Sequence, residues 1–194
     1  MKKLSLVILT ITLCFVISCK ENKKESSTEP EMTSDEMAPA ETTPAKEITV
    51  KLEPKSDSNV TGNVVFKEEN GMVTMTANLE GLSEGQHAIH LHEKSDCSAP
   101  DGTSTGGHWN PTGQPHGKWG SAEGYHKGDI GNIEAGADGK ATLTFSTDEW
   151  CIGCGDPNKD IMGKGIIVHQ GVDDFVTQPT GNAGGRVACG GIIE

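Results

Sequence analysis

The chain has 194 residues, enough for one medium-sized domain with additional segments. Its 28 acidic side chains outweigh 16 basic ones, and the net charge of −12 argues against nucleic acid as a partner. Glycine is abundant at 25 residues and aromatics are scarce at 4%, a composition that suits turns and loops better than long helices.

Residues 1–19 stand apart: a basic start, "MKK", precedes an apolar run over 4–17 of signal-peptide length, short for a membrane span. The run ends in "VISCK", which resembles a bacterial lipobox. On that reading Cys19 becomes the lipid-carrying mature N-terminus, and a membrane is a partner through the anchor. The expected location is the bacterial cell envelope, as an exported lipoprotein on the periplasmic side or at the cell surface. The alternative is an ordinary signal peptide with an incidental cysteine. Residues 20–46 are rich in Glu, Ser, Thr and Pro without apolar periodicity, and are expected to form a disordered tether.

From residue 47 to 194 the pattern changes. Ile48, Val50 and Leu52 alternate with polar residues, as do Val73, Met75, Ala77 and Leu79, and later Ala141, Leu143 and Phe145. Period two predicts half-buried strands. "EENG", "EGLSEG" and "GADGK" supply turns. Short antiparallel strands and long glycine-rich loops read as an all-β sandwich or barrel.

The stretch "QHAIHLH" places three histidines within six residues. Side chains two apart on a strand share a face, so His90 and His92 form a ligand pair. His87 has the opposite parity and is expected to take a structural hydrogen-bonding role, unless a bulge intervenes. Farther on, His108, His116, His126 and Asp129 lie in a Gly- and Pro-rich loop, and His169 ends an apolar strand. Imidazole suits zinc, copper, iron or nickel, and three His with one Asp suit tetrahedral zinc.

"HAIHLHE", "GGHWNP", "HKGDIGN", "VHQGVDD" and "GNAGGRVACG", in that order, resemble the successive motifs of the copper/zinc superoxide dismutase family in its bacterial exported form. The resemblance implies a Greek-key antiparallel β-sandwich, or flattened eight-stranded barrel. It implies copper held by His90, His92, His108 and His169, and zinc held by His108, His116, His126 and Asp129, with His108 shared. Asp173 falls where the family links a copper ligand to a zinc ligand, here His90 and His116. Arg186 matches the active-site arginine, a fixed cation for a small anion. The implied activity is disproportionation of superoxide to oxygen and hydrogen peroxide by alternating reduction and reoxidation of copper, with Arg186 and His108 as the catalytic residues. A copper-binding or copper-buffering protein on the same scaffold is the rival reading. Family members occur as monomers and as homodimers. The segment between His169 and Arg186 is short and lacks the family's usual charged guiding residues, so Lys118 and Lys127 are offered as substitutes.

The resemblance also implies a disulfide between Cys97 and Cys189, consistent with an oxidising compartment. Cys151 and Cys154, in "EWCIGCGD", lie outside the family pattern. They read as a second, local disulfide, or else as a site of redox chemistry or copper capture.

Overall fold

Each stretch of alternating apolar and polar side chains becomes one wall of a barrel in the computed structural model, which describes residues 45–194. The leader, Cys19 and the tether up to residue 44 lie outside the described residues. The strands are β1 (Lys46–Pro54), β2 (Thr61–Glu69), β3 (Met72–Glu80), β4 (Gly85–His92), β5 (Gly131–Ala135), β6 (Ala141–Thr147), β7 (Gly165–His169) and β8 (Arg186–Gly191). Among the described residues the only helical element is a short 3-10 turn, Thr103–Thr105.

The eight strands close in the order β1-β2-β3-β6-β5-β4-β7-β8, and all pairs are antiparallel. Pairing β6 with β3, and β4 with β7, is the Greek-key crossing expected from the family resemblance. Each described strand is paired on both sides, with β1 meeting β8 only at Glu53 and Pro54 and β5 meeting β6 only at Ala135. Val50 and Leu52 of β1, Val64 and Phe66 of β2, and Val73, Met75, Ala77 and Leu79 of β3 point inward and are buried. Their polar neighbours face out, as period two requires. Between β2 and β3 the turn falls on Asn70 and Gly71, with φ of 52° and 76°. Positive φ at both positions matches the right-handed twist of a two-residue hairpin, and glycine adopts it without strain.

Leu143 and Phe145 of β6 are only half-buried within the barrel. Loop side chains cover Phe145: its ring lies 4.9 Å from Trp119 and 5.1 Å from Trp150, ring centre to ring centre. Segment 93–130 follows β4, and segment 170–185 follows β7. Both fold back onto β4, where Leu91 N–H donates to Gly128 O (2.9 Å) and Ala88 N–H to Gly171 O (2.7 Å). Gly128 has no room for a side chain, because a Cβ there would run into the Leu91 carbonyl.

A disulfide joins Cys97, in the first long segment, to Cys189 on β8 across 92 residues of sequence. By loop-closure entropy a crosslink of that span is worth about 4–5 kcal/mol. Cys151 and Cys154 form a second, local disulfide. Two disulfides fit an oxidising, exported location.

Candidate metal centre

His90 and His92 lie on β4, which runs unbroken from Gly85, so both imidazoles leave the same face of the strand. The register shift lies elsewhere, between Val168 and His169 where β7 meets β8. His87 is buried but belongs to neither histidine cluster. Its Nδ1 lies 3.0 Å from the His169 carbonyl, and its Nε2 3.0 Å from the Ser83 carbonyl. It supports the backbone under His169, the structural role that strand parity assigns to it.

Two groups of side chains converge tightly enough to hold a metal ion each. The ligand atoms of His90, His92, His108 and His169 lie within 4.8 Å of one another, and so do those of His108, His116, His126 and Asp129. Every member is buried, and His108 belongs to both groups. Leu91 delivers His108 to this position by accepting the Trp109 N–H (2.9 Å), which lays the residue after His108 alongside β4.

The hydrogen bonds show which nitrogen each ring presents. A carbonyl only accepts, so His92 donates Nδ1–H to Gly106 O (2.9 Å) and His169 donates Nδ1–H to Gly184 O (3.3 Å). Asp173 spans the two groups, taking His90 Nε2 on one oxygen and His116 Nε2 on the other, each at 2.9 Å. Six buried nitrogens are left with no hydrogen-bond partner: His90 Nδ1, His92 Nε2, His108 Nε2, His116 Nδ1, His126 Nδ1 and His169 Nε2. An unsatisfied buried polar atom costs about 1–3 kcal/mol, a cost that a cation in each group would relieve. His116 Nδ1 and His126 Nδ1 sit 3.0 and 3.2 Å from Asp129 oxygens, yet without hydrogen-bond geometry. Rings and carboxylate thus aim at a shared point rather than at each other. Three imidazoles and a carboxylate are a zinc-type donor set, and four imidazoles suit copper.

Burial pushes the His169 imidazole down to about 3 and His108 down to about 4, with neighbouring His90 adding to both shifts. Burial also holds His92 well below the ordinary histidine value, and His108 adds to it. These rings are neutral lone-pair donors at neutral pH. His116 moves the other way: burial opposes its charge, but the Asp129 carboxylate beside it and the hydrogen bond to Asp173 outweigh burial and raise it to about 9. Burial likewise opposes ionisation of both carboxylates, yet both stay well below the usual range: Asp129 through the His108 hydrogen bond and the adjacent His116 and His126 rings, Asp173 through hydrogen bonds from His116 and His90.

The sign of the pH dependence follows. Metal-free protein gains stability from His116 below pH 6.5, the ordinary value, and loses it as pH rises through about 9. His108 and His169 act oppositely: the unfolded chain binds their protons first, so their contribution falls as pH drops from 6.5 toward 4 and 3. A divalent ion entering the His116 group at pH 7 must displace the His116 proton. Titration calorimetry in two buffers of different ionisation enthalpy is expected to count about one proton released from this ring at pH 7, and about half a proton near pH 9. Zero release at pH 7 would show that the His116 ring is already neutral before the ion enters.

Arg186 sits opposite His169 in the β7–β8 register. Its Nη1 donates to Gly102 O and Thr105 Oγ1, and its Nη2 to Gly106 O, each at 2.8 Å. Gly106 O also accepts from His92, so one carbonyl fixes both the cation and a ring of the first group. Lys118 is exposed on the surface near His116. Lys127, by contrast, pairs with Glu149, which also accepts from Tyr125 Oη at 2.6 Å. Its charge is turned inward to hold the loop rather than outward toward an anion.

Several positioning residues had no signature in the sequence. The Asn132 side chain grips the backbone of Asp173 from both sides (2.8 and 3.0 Å), and Gln178 does the same for His116, at 2.8 Å to both N and O. Trp150 Nε1–H donates to Lys127 O (2.8 Å), beside His126. Gly181, at φ +65°, has the Asp173–His116 contact where its Cβ would stand. Gly181→Ala is therefore expected to displace Asp173 and weaken metal retention about 10- to 100-fold, measured by competition with a chelator. Unchanged affinity would mean that Asp173 does not orient these rings.

Comparison with known proteins places this geometry among relatives. A family model described as copper/zinc superoxide dismutase (SODC) matches residues 60–192. The fold is similar to a solved SOD-like protein from Bacillus subtilis, at 31% identity and a TM-score of 0.67, covering 75% of this chain and 97% of that one. It is equally similar to a double mutant of that protein with a tyrosine and a proline replaced by histidine, at 32% identity, a TM-score of 0.68 and the same coverage.

Proposed function

Because the chain belongs to the copper/zinc superoxide dismutase family, we propose that it is an active dismutase, converting superoxide to oxygen and hydrogen peroxide. In this reading His90, His92, His108 and His169 hold copper, and His108, His116, His126 and Asp129 hold zinc. The observation that carries it is the set of six buried, unpartnered nitrogens divided over two groups that share one ring. Copper bound there would supply the one-electron chemistry, alternately accepting an electron from superoxide and returning one.

The chain's own residues set the terms of that chemistry. His108 keeps Nδ1 in the second group against Asp129 at 2.8 Å, which leaves Nε2 as the atom that takes up and gives back a proton between half-reactions. Its pKa of about 4 keeps Nε2 unprotonated at rest. Arg186 presents a permanent charge to the incoming anion, with its guanidinium braced by three backbone and side-chain acceptors. Asp173 holds the His90 and His116 rings with their lone pairs inward.

The rival reading, copper binding or buffering without turnover, draws on the Cys151–Cys154 pair and on solved relatives described only as SOD-like. Metal content by mass spectrometry and cyanide-sensitive dismutase activity on one sample separate the two. Full copper and zinc loading without turnover would leave buffering as the function. We also infer, from the sequence of the leader and the tether, that Cys19 carries lipid and anchors the domain to a membrane of the cell envelope. Mass spectrometry of the mature N-terminus tests this, and an unmodified N-terminus would refute it.

A further inference from the structure

Among the described residues, one group of metal-capable side chains remains outside the histidine centre: Cys151, Cys154 and Asp160, with donor atoms within 4.8 Å of one another. The two sulfurs are joined as a disulfide. We propose that this pair is a reducible thiol site which, once opened, binds a single cuprous ion with Asp160 as third donor. The proposal is independent of whether the histidine centre turns over superoxide.

The disulfide is not what shapes this turn. Cys151 N–H donates to Lys159 O at 2.8 Å, and Cys151 O accepts from Ile161 at 3.1 Å. The Asp160 carboxylate accepts the N–H groups of Gly153, Gly155 and Met162 at 2.8–3.0 Å. Ile152 is pinned to Glu68 through its N–H (2.9 Å) and to Lys46 through its carbonyl (2.6 Å). None of these bonds needs the sulfurs to be joined, so a reduced pair stays poised beside the carboxylate. A crosslink closing so short a loop also constrains the unfolded chain least.

Each disulfide has one buried sulfur, Cys151 in one and Cys189 in the other, but the partner Cys154 is exposed whereas Cys97 is half-buried. A thiolate of an external dithiol attacks Cys154 Sγ, and Cys151 leaves as its thiolate. The second thiol of the reductant then resolves the mixed disulfide. Two electrons and two protons pass to the protein, and the dithiol becomes a disulfide.

The donor set selects the ion. Thiolates favour soft ions such as Cu(I) and zinc. Structural zinc is almost always four-coordinate, and only three donors are present here, whereas two thiolates suffice for Cu(I). The carboxylate has one of roughly four lone-pair positions still open after its three backbone bonds. Binding displaces the two thiol protons.

The test uses the full chain. A dithiol is titrated in under nitrogen, and alkylation with peptide mass analysis follows which cysteines open. Cu(I) is then added against bathocuproine disulfonate. Cys151 and Cys154 are expected to open before Cys97 and Cys189. The reduced protein is expected to hold one cuprous ion more than the untreated protein, with copper–sulfur scattering in X-ray absorption. The Cys151→Ser/Cys154→Ser double variant, treated alike, is expected to show no such excess while retaining its histidine-bound metal. The proposal is overturned by equal copper in reduced and untreated protein, by an extra ion with nitrogen or oxygen neighbours only, by an excess that survives in the double variant, or by Cys97–Cys189 opening first.

Discussion

Arg186→Ala is expected to lower kcat/KM for superoxide about thirtyfold while leaving copper and zinc content near the wild-type level. A unit charge acting over several ångströms at an effective dielectric near 20 is worth roughly 2 kcal/mol, and each 1.4 kcal/mol is a factor of ten. The net charge of −12 makes this cation matter more, because the global field opposes an approaching anion and only nearby charges escape screening. Arg186 also braces Gly102, Thr105 and Gly106, and Gly106 O holds the His92 ring. Arg186→Lys separates the two contributions: it retains the charge and loses the fork of donors. Partial recovery by lysine, together with a wild-type copper spectrum in both variants, assigns the loss to charge. Unchanged turnover in Arg186→Ala, measured at low ionic strength, would count against catalysis at this site.

Asp129→Asn is expected to have the larger effect on the metal. The carboxylate meets His108 Nδ1 at 2.8 Å, accepts the N–H of Gly117 at 3.1 Å and of His126 at 2.8 Å, and lies 3.0 Å from His116 Nδ1. Removing its charge withdraws the one anionic donor from the second group and leaves a buried, protonated His116 with Asp173 alone. Affinity for zinc should fall at least about a hundredfold in a chelator competition. The metal-free protein should lose about 3 kcal/mol, as expected when one partner of a buried charged network is removed. The His116 titration should move down from about 9, so that stability is lost at a lower pH than in the wild type. Zinc affinity within twofold of wild type would remove Asp129 from the ligand set.

Much of this arrangement was legible along the chain, because strand physics is local. Alternation of Val73, Met75, Ala77 and Leu79 with polar neighbours reports the inward face of β3 directly, and all four are buried. The same parity separates His87 from His90 and His92, and β4 contains no bulge to disturb it. The half-burial of Phe145 was not legible, since Trp119 reaches it from the distant segment 93–130 and Trp150 folds back over it from just past the end of β6. Nor could composition reveal that Lys127 spends its charge on Glu149, 22 residues away in sequence.

The donor inventory and the faces from which those donors project were readable along the chain, since residue type and backbone periodicity carry both. Only the tertiary structure decided which ring nitrogen each histidine leaves free. That choice depends on what occupies the other nitrogen: Gly106 and Gly184 carbonyls for His92 and His169, and Asp173 for His90 and His116. Those partners arrive from loops 14 to 83 residues away, and nothing local in the chain specifies where a loop carbonyl or carboxylate will come to rest.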